Sequence, residues 1–196
     1  LSPESPGDWA LSLSIPADAG HRDELRDGAD PQALAPHWAS FFEHVGTDGL
    51  ADLNRRADNL QRQIRDNGVT YNVYADSAKG LQRPWALDLF PTIIPPQDWA
   101  QIEAGVLQRT RLLNAMMADL YGPQTLLRQA MLPSALVQGH PGYLRAMQGM
   151  EPAGGTWLHI VAFDLAHGPD GRWWVVGQRT QAPSGLGYLL ENRIAI

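Results

Sequence analysis

Near its C-terminal end the chain carries its densest polar cluster, "QRTQAPSGLGYLLENR", from Gln178 to Arg193. Arg179 and Arg193 offer guanidinium forks that match a phosphate or a carboxylate. Pro183-Ser184-Gly185 is a turn signal. Its backbone N–H groups and the Ser184 hydroxyl could face an anion, because glycine lets a ligand approach without a Cβ in the way. The same loop also reads as an ordinary surface turn, since short Gly/Ser loops are common. Glu191-Asn192-Arg193 reads either as a ligand group or as a solvated strand end. Upstream, Asp164 closes a strongly apolar segment. A carboxylate there is a metal or substrate ligand, or it starts a turn, as Asp often does. Arg83-Pro-Trp85 and the pair Arg109/Arg111 either reach a substrate or make surface ion pairs.

Other chemistries are excluded by type and spacing. The chain has no cysteine, so disulfides, a thiol nucleophile and thiolate metal sites are ruled out, and a reducing compartment fits. Its six histidines show no metal-ligand spacing, and His159 reads as a core-edge residue of a strand. There is no G-x-S-x-G and no P-loop. With a net charge of −6 and no basic block, a nucleic-acid partner is not expected. No apolar run reaches the roughly 20 residues of a membrane helix, and no signal peptide is seen. The expectation is a soluble cytoplasmic protein with no membrane partner. At 196 residues and 44% apolar composition, a sizeable core is possible.

The elements that must position these groups follow from periodicity. Residues 1–36 are rich in Pro, Asp, Ala and Gly and read as a flexible or loosely docked lead-in, with a possible short strand where Trp9, Leu11, Leu13 and Ile15 alternate. Trp38, Phe41, Phe42 and Val45 follow i, i+3, i+4, i+7, so a helix is expected, ended by Gly46. Asp48 can cap a second helix with Leu50, Leu53, Ala57, Leu60 and Ile64 as its stripe, stopped at Asn67-Gly68. Val69–Tyr74 alternates with period two and predicts a strand. The longest helix is expected from about Gln97 to Leu120, with Trp99, Ile102, Val106, Leu113, Met116, Met117 and Leu120 apolar. A short helix should follow at Gln124–Met131 and a short strand at Ala135–Val137. Two strands, Trp157–Leu165 and Arg172–Thr180, flank a Gly168–Gly171 turn and should pair antiparallel inside a larger sheet. The fold expected is α/β or α+β: a mixed sheet with a C-terminal hairpin covered by helices.

Four stretches occur together in order: "IRDNGVTYNVYAD" (Ile64–Asp76), "RTRLLNAMMADLYGPQTLL" (Arg109–Leu127), "PSALVQGHPGYLR" (Pro133–Arg145) and "PDGRWWVVGQRTQAPSGLGYLLENR" (Pro169–Arg193). In these the chain resembles the N-terminal region of bacterial circularly permuted type 2 ATP-grasp proteins, over about Trp38 to Arg193. The resemblance implies a partial ATP-grasp-like domain over residues 37–196, similar to glutathionylspermidine synthetase. It implies Mg-ATP activation of a small carboxylate as an acyl phosphate, followed by attack of an amine. It also implies that the rest of the domain, or a partner supplying it, must complete the nucleotide site.

By residue, what the resemblance implies is mixed. Asp164 matches the strand-end carboxylate that such synthetases place on metal. Their next strand carries a Glu-x-Asn pair; here Gly177-Gln178-Arg179 stands instead, and neither ligand is present. The Pro183-Ser184-Gly185 loop is retained. The residues expected in the site are Asp164, Arg179 and Ser184 as catalytic groups. Ser184, Gly185, Glu191, Asn192, Arg193 and Asn72 are expected to meet substrate or phosphate, and Asp164 is the metal ligand. Tyr74 shares a strand face with Asn72. Two functions follow from this: part of an ATP-dependent carboxylate–amine ligase, expected to be inactive as this chain alone, or a non-catalytic binding or scaffolding module derived from one.

Overall fold

The structure, a computed structural model, describes residues 5–28, 30–68, 70–71, 83–85 and 87–195. It divides into two units. One comprises Leu1–Pro95, His167–Arg172 and Ser184–Ile196; the other comprises Pro96–Ala166 and Trp173–Pro183.

The first unit opens with α1, Pro6–Leu13. The expectation of a strand at Trp9–Ile15 is overturned here, and the reason is the cap. Ser5 accepts the Asp8 N–H at 3.1 Å and returns its hydroxyl to the Asp8 carboxylate at 2.8 Å, with Pro6 in the first turn. The cap satisfies one orphan helix donor, the Asp8 N–H, and outweighs an alternating pattern of only four residues. Helix α2, Pro36–Ala51, lies against α1. Ala10, Ala35, Trp38 and Phe42 are buried together, with Trp9, Leu25, Phe41 and Phe90 around them. Gly46 interrupts α2 at φ 65° and ψ 174°, a backbone state that disfavours any residue with a Cβ. The expected break is therefore real, although helix resumes directly after it. The loop between α1 and α2 is closed by the buried Arg26. Its guanidinium donates to Asp23 at 3.0 Å, to the Ser14 carbonyl at 3.0 Å and to the Ser14 hydroxyl at 2.8 Å. Desolvation works against ionised Asp23, but N–H donors from Ala17, Arg26 and Leu25 prevail and hold its carboxyl below the usual value.

Helix α3, Leu53–Asp66, buries Leu60 and Ile64 of the expected stripe. Strand β1, Thr70–Tyr71, pairs antiparallel with β2, Arg83–Pro84. The remainder of the Val69–Tyr74 strand, with Asn72 and Tyr74, lies outside the described residues.

The second unit is organised on α4, Pro96–Tyr121, which matches the longest expected helix. Ile102 and Tyr121 are buried, but Trp99 is 54% exposed, against the expectation that it covers the sheet. It sits in the first turn of the helix, where the neighbouring Asp98 is the residue that meets β4. Two short helices follow: α5, Thr125–Arg128, and α6, Ser134–Gln138. The expected strand at Ala135–Val137 is thus helical. A three-residue apolar run does not distinguish the two states, and the Gly139 N–H closes a helical turn on the Ala135 carbonyl.

Asp119 fixes the corner between α4 and α5. Its two oxygens accept the N–H groups of Thr125 and Leu126, each at 2.9 Å. The Leu126 amide, with Thr125, holds the carboxyl below its usual 3.8. A carboxyl lowered in the fold contributes stability that is present above its unfolded value and is lost as pH falls through the lowered one. The corner is therefore expected to loosen on acidification below about pH 4, seen in the Thr125 and Leu126 amide resonances. Asp119→Asn should abolish that acid response; an unchanged response would assign it to other carboxylates.

Asn114 of α4 donates to the Gly155 carbonyl at 3.2 Å and accepts the N–H groups of Trp157 and Leu158 at 2.8 and 3.2 Å. This shortens the expected strand, because amides bound to a side chain on a helix are not free for a ladder. Strand β3 accordingly runs Ala162–His167 and pairs with β4, Trp173–Arg179, as an antiparallel hairpin. The Gly168 N–H closes the turn on the Arg172 carbonyl at 2.8 Å. Among the described residues this sheet has two strands rather than the larger number expected. Among the described residues, helices together with this antiparallel hairpin make an α+β arrangement.

Candidate functional site

The hairpin brings Asp164 and Arg179 together. Arg179 Nη1 donates to Asp164 Oδ2 at 2.7 Å, and Nη2 donates to Oδ1 at 2.8 Å. The pair is bidentate, the arrangement in which a guanidinium fork and a carboxylate match best. It is open to solvent, with the Arg179 side chain 59% and the Asp164 side chain 46% exposed. Gly177 makes room for it: a Cβ at that position would lie 2.8 Å from Asp164 Oδ2. The residue types at 164 and 179 were legible as candidates, but their pairing was not. A cavity of about 280 Å³ in the same unit is lined by Ile102, Val106, Arg109, Leu165 and Trp173, so Arg109 borders open space beside the hairpin. The Trp173 indole N–H donates to Asp98 at 3.2 Å, which ties β4 to the start of α4.

The other candidates belong to the first unit. Ser184 and Gly185 are exposed and lead directly into α7, Leu186–Ala195. Glu191-Asn192-Arg193, read as a ligand group or a solvated strand end, thus lies in a helix rather than at the end of a strand. The Leu189 N–H closes its first turn on the Gly185 carbonyl at 3.0 Å, and Gly185 holds φ at +113°. The first amides of a helix lack intrahelical acceptors, so this loop presents donors beside the Ser184 hydroxyl. Two residues expected as ligands make contacts that hold α7 in place. Glu191 accepts from the Asn67 side chain at 3.0 Å, and Asn192 accepts from the Trp85 indole at 2.9 Å. The Tyr188 ring lies tilted at 30° against Trp85, with ring centroids 4.6 Å apart. Sequence reading gave Asn67 only as a helix stop and gave Tyr188 no role; partners more than a hundred positions away leave no local pattern. Arg193 is exposed.

A magnesium ion on Asp164 does not fit the residues present. Both carboxylate oxygens are held by Arg179, and among the described residues no group of three His, Asp or Glu could hold a metal. Nor is any described helix long and apolar enough to cross a membrane.

The family model for circularly permuted ATP-grasp type 2 matches residues 91–196, which contain the hairpin, the Pro183–Gly185 loop and α7. An uncharacterised protein of Mycobacterium bovis is 37% identical over 186 residues, covering 87% of this chain and 21% of its own length. One from Synechocystis is 33% identical over 163 residues, covering 83% and 34%. One from Mycobacterium leprae is 30% identical over 159 residues, covering 81% and 28%. The chain thus spans about a fifth to a third of the length of these relatives. With more than half of its residues matched, in the segment that holds Asp164, Arg179 and Ser184, the chain belongs to the circularly permuted ATP-grasp type 2 family.

Proposed function

We propose that this chain contributes a substrate-facing floor to an ATP-dependent carboxylate–amine ligase domain, and that nucleotide chemistry needs protein beyond these 196 residues. The reaction joins a small carboxylate to an amine through an acyl phosphate made with ATP. Arg179, oriented by Asp164, would hold a phosphate or carboxylate oxygen pair. In the other unit, Ser184, Gly185 and the first amides of α7 would hold an anionic group, and Glu191, Asn192 and Arg193 are proposed substrate or phosphate contacts. Asn72 remains a proposed substrate contact, and the setting proposed is the cytoplasm.

The observation that carries this reading is the outer face of α7. Leu186, Leu189, Leu190 and Ile194 follow i, i+3, i+4, i+8 and are between 56% and 65% exposed. A regular apolar stripe left open to water marks a surface that further protein covers. Phosphoryl transfer also depends on a closed, positioned cleft, which a floor by itself does not form. The second reading, a non-catalytic binding or scaffolding module, is favoured by the Asp164–Arg179 pair, because it leaves no metal-ready carboxylate on the hairpin.

ATP hydrolysis by the intact family protein that carries this segment, with magnesium and a pool of carboxylates and amines, separates the two. The ligase reading expects phosphate release that depends on both substrates. No release under any condition favours the module. For the 196-residue chain alone, calorimetry should show Mg-ATP binding no tighter than about millimolar, roughly −4 kcal/mol. Micromolar binding would show that a complete nucleotide site is present in this chain.

A further inference from the structure

Asp164 by itself would suit a magnesium–phosphate complex, since that ion commonly takes one or two carboxylates plus phosphate oxygens. Arg179 is what changes the chemistry. It occupies both carboxylate oxygens end-on, Nη1 to Oδ2 and Nη2 to Oδ1. A metal ion would have to displace that fork and then sit beside a permanent positive charge. Gly177 supports the same arrangement, because a side chain there would meet Asp164 Oδ2 at 2.8 Å and push the carboxylate away.

The guanidinium is not used up by this pairing. Of its five N–H donors the end-on contact takes one from each Nη. The Nε–H and the N–H of the adjacent Nη still form a fork along the side edge. With the side chain 59% exposed, that edge can receive two oxygens of a ligand. Exposed ion pairs are weak, so Asp164 acts by aiming the fork rather than by binding it firmly.

We infer that Arg179 is the resident cation of the hairpin floor: its side edge takes an oxygen pair of a phosphate or carboxylate ligand without a metal ion, and Asp164 is its positioning residue. The ligand class rests on the proposed ligase-type floor; the arginine geometry does not.

The test uses the 196-residue chain in EDTA, titrated separately with pyrophosphate and with succinate, following the Arg179 side-chain Nε–H resonance by NMR. At least one anion should shift that resonance, and the stronger of the two identifies a phosphate or a carboxylate ligand. Arg179→Gln should weaken binding by about tenfold or more, the loss of a charge-assisted fork. Arg179→Lys keeps the charge without the fork and should also bind more weakly; it decides the point if the glutamine variant does not fold. Asp164→Asn loses the bidentate hold that aims the fork, so the Nε–H resonance of the ligand-free protein should move toward that of a freely rotating arginine; an unchanged resonance would show that Asp164 does not position Arg179. Added manganese should not broaden resonances around Asp164. A metal-bridged site predicts the opposite: no response in EDTA, an anion response with broadening at Asp164 once manganese is added, and loss of both in Asp164→Asn. Absence of any anion response in EDTA overturns the inference by itself. Metal-free binding with no hydrolysis by the intact protein would keep this inference and sink the ligase reading; hydrolysis without metal-free binding would do the reverse.

Discussion

Replacing Tyr121 with alanine is expected to lower the unfolding free energy of the second unit by about 4 to 5 kcal/mol, the upper end of the range for buried aromatic truncation. Tyr121 is 6% exposed and lies between two rings. Its centroid is 5.0 Å from that of Tyr143 and 5.0 Å from that of Trp157, with interplanar angles of 19° and 10°. Stacked pairs of this kind contribute about 0.5–1.5 kcal/mol each beyond the area they bury. The Tyr121 hydroxyl also accepts the Leu144 N–H at 3.0 Å. Tyr121→Phe keeps the stack and removes only that acceptor, so it should cost about 0.5–1.5 kcal/mol. Urea unfolding of the three proteins checks the ordering. A loss below about 1 kcal/mol in Tyr121→Ala would mean that the stack is not what joins the end of α4 to the loop after it.

Phe42→Ala should cost the first unit about 3 kcal/mol, the lower end of the same range. The ring is 4% exposed and touches three others: Trp38 at 5.7 Å, Phe41 at 5.4 Å and Phe90 at 6.0 Å between centroids. It also walls an open cavity of about 360 Å³ shared with Trp9, Leu25 and Trp38. A truncated site that opens on such a space holds less sealed void, so the cavity contribution is smaller than for Tyr121. Amide hydrogen exchange during urea titration, read separately over α1–α2 and over α4, reports the loss in each unit. The control is Trp99→Ala, which should stay within about 0.5 kcal/mol because that side chain is largely exposed. If Trp99→Ala costs more than Phe42→Ala, the exposed and buried aromatics have been assigned the wrong way round.

Helices were legible where apolar residues repeat over several turns. In α2 the set Trp38, Phe41, Phe42 and Val45 marked the packed face, and in α3 Leu60 and Ile64 did the same. The hairpin was legible from two apolar runs around Gly168–Gly171. Where the apolar run was short, pattern failed. Trp9–Ile15 alternates and yet is governed by the Ser5 cap, and Ala135–Val137 is too brief to show any period. Trp157–Val161 has strand-like residues, but its first amides are claimed by Asn114, a partner more than forty positions away.

The sequence by itself determined the residue types that can grip an anion, the order of the motifs, and hence the family. It also determined that Gly177 and Arg179 stand where a Glu-x-Asn pair was expected. Only the tertiary structure decided what those residues do. Across the hairpin, fifteen positions away, Arg179 meets Asp164 with both nitrogens, so the carboxylate is a guanidinium partner. Glu191 and Asn192 hold α7 to Asn67 and Trp85, 124 and 107 positions away. The physical reason is the same in each case. Periodicity and caps act through neighbours along the chain, and those are written in the sequence. Charge pairing and side-chain hydrogen bonds act through distances in space, and these are set once strands and helices have packed.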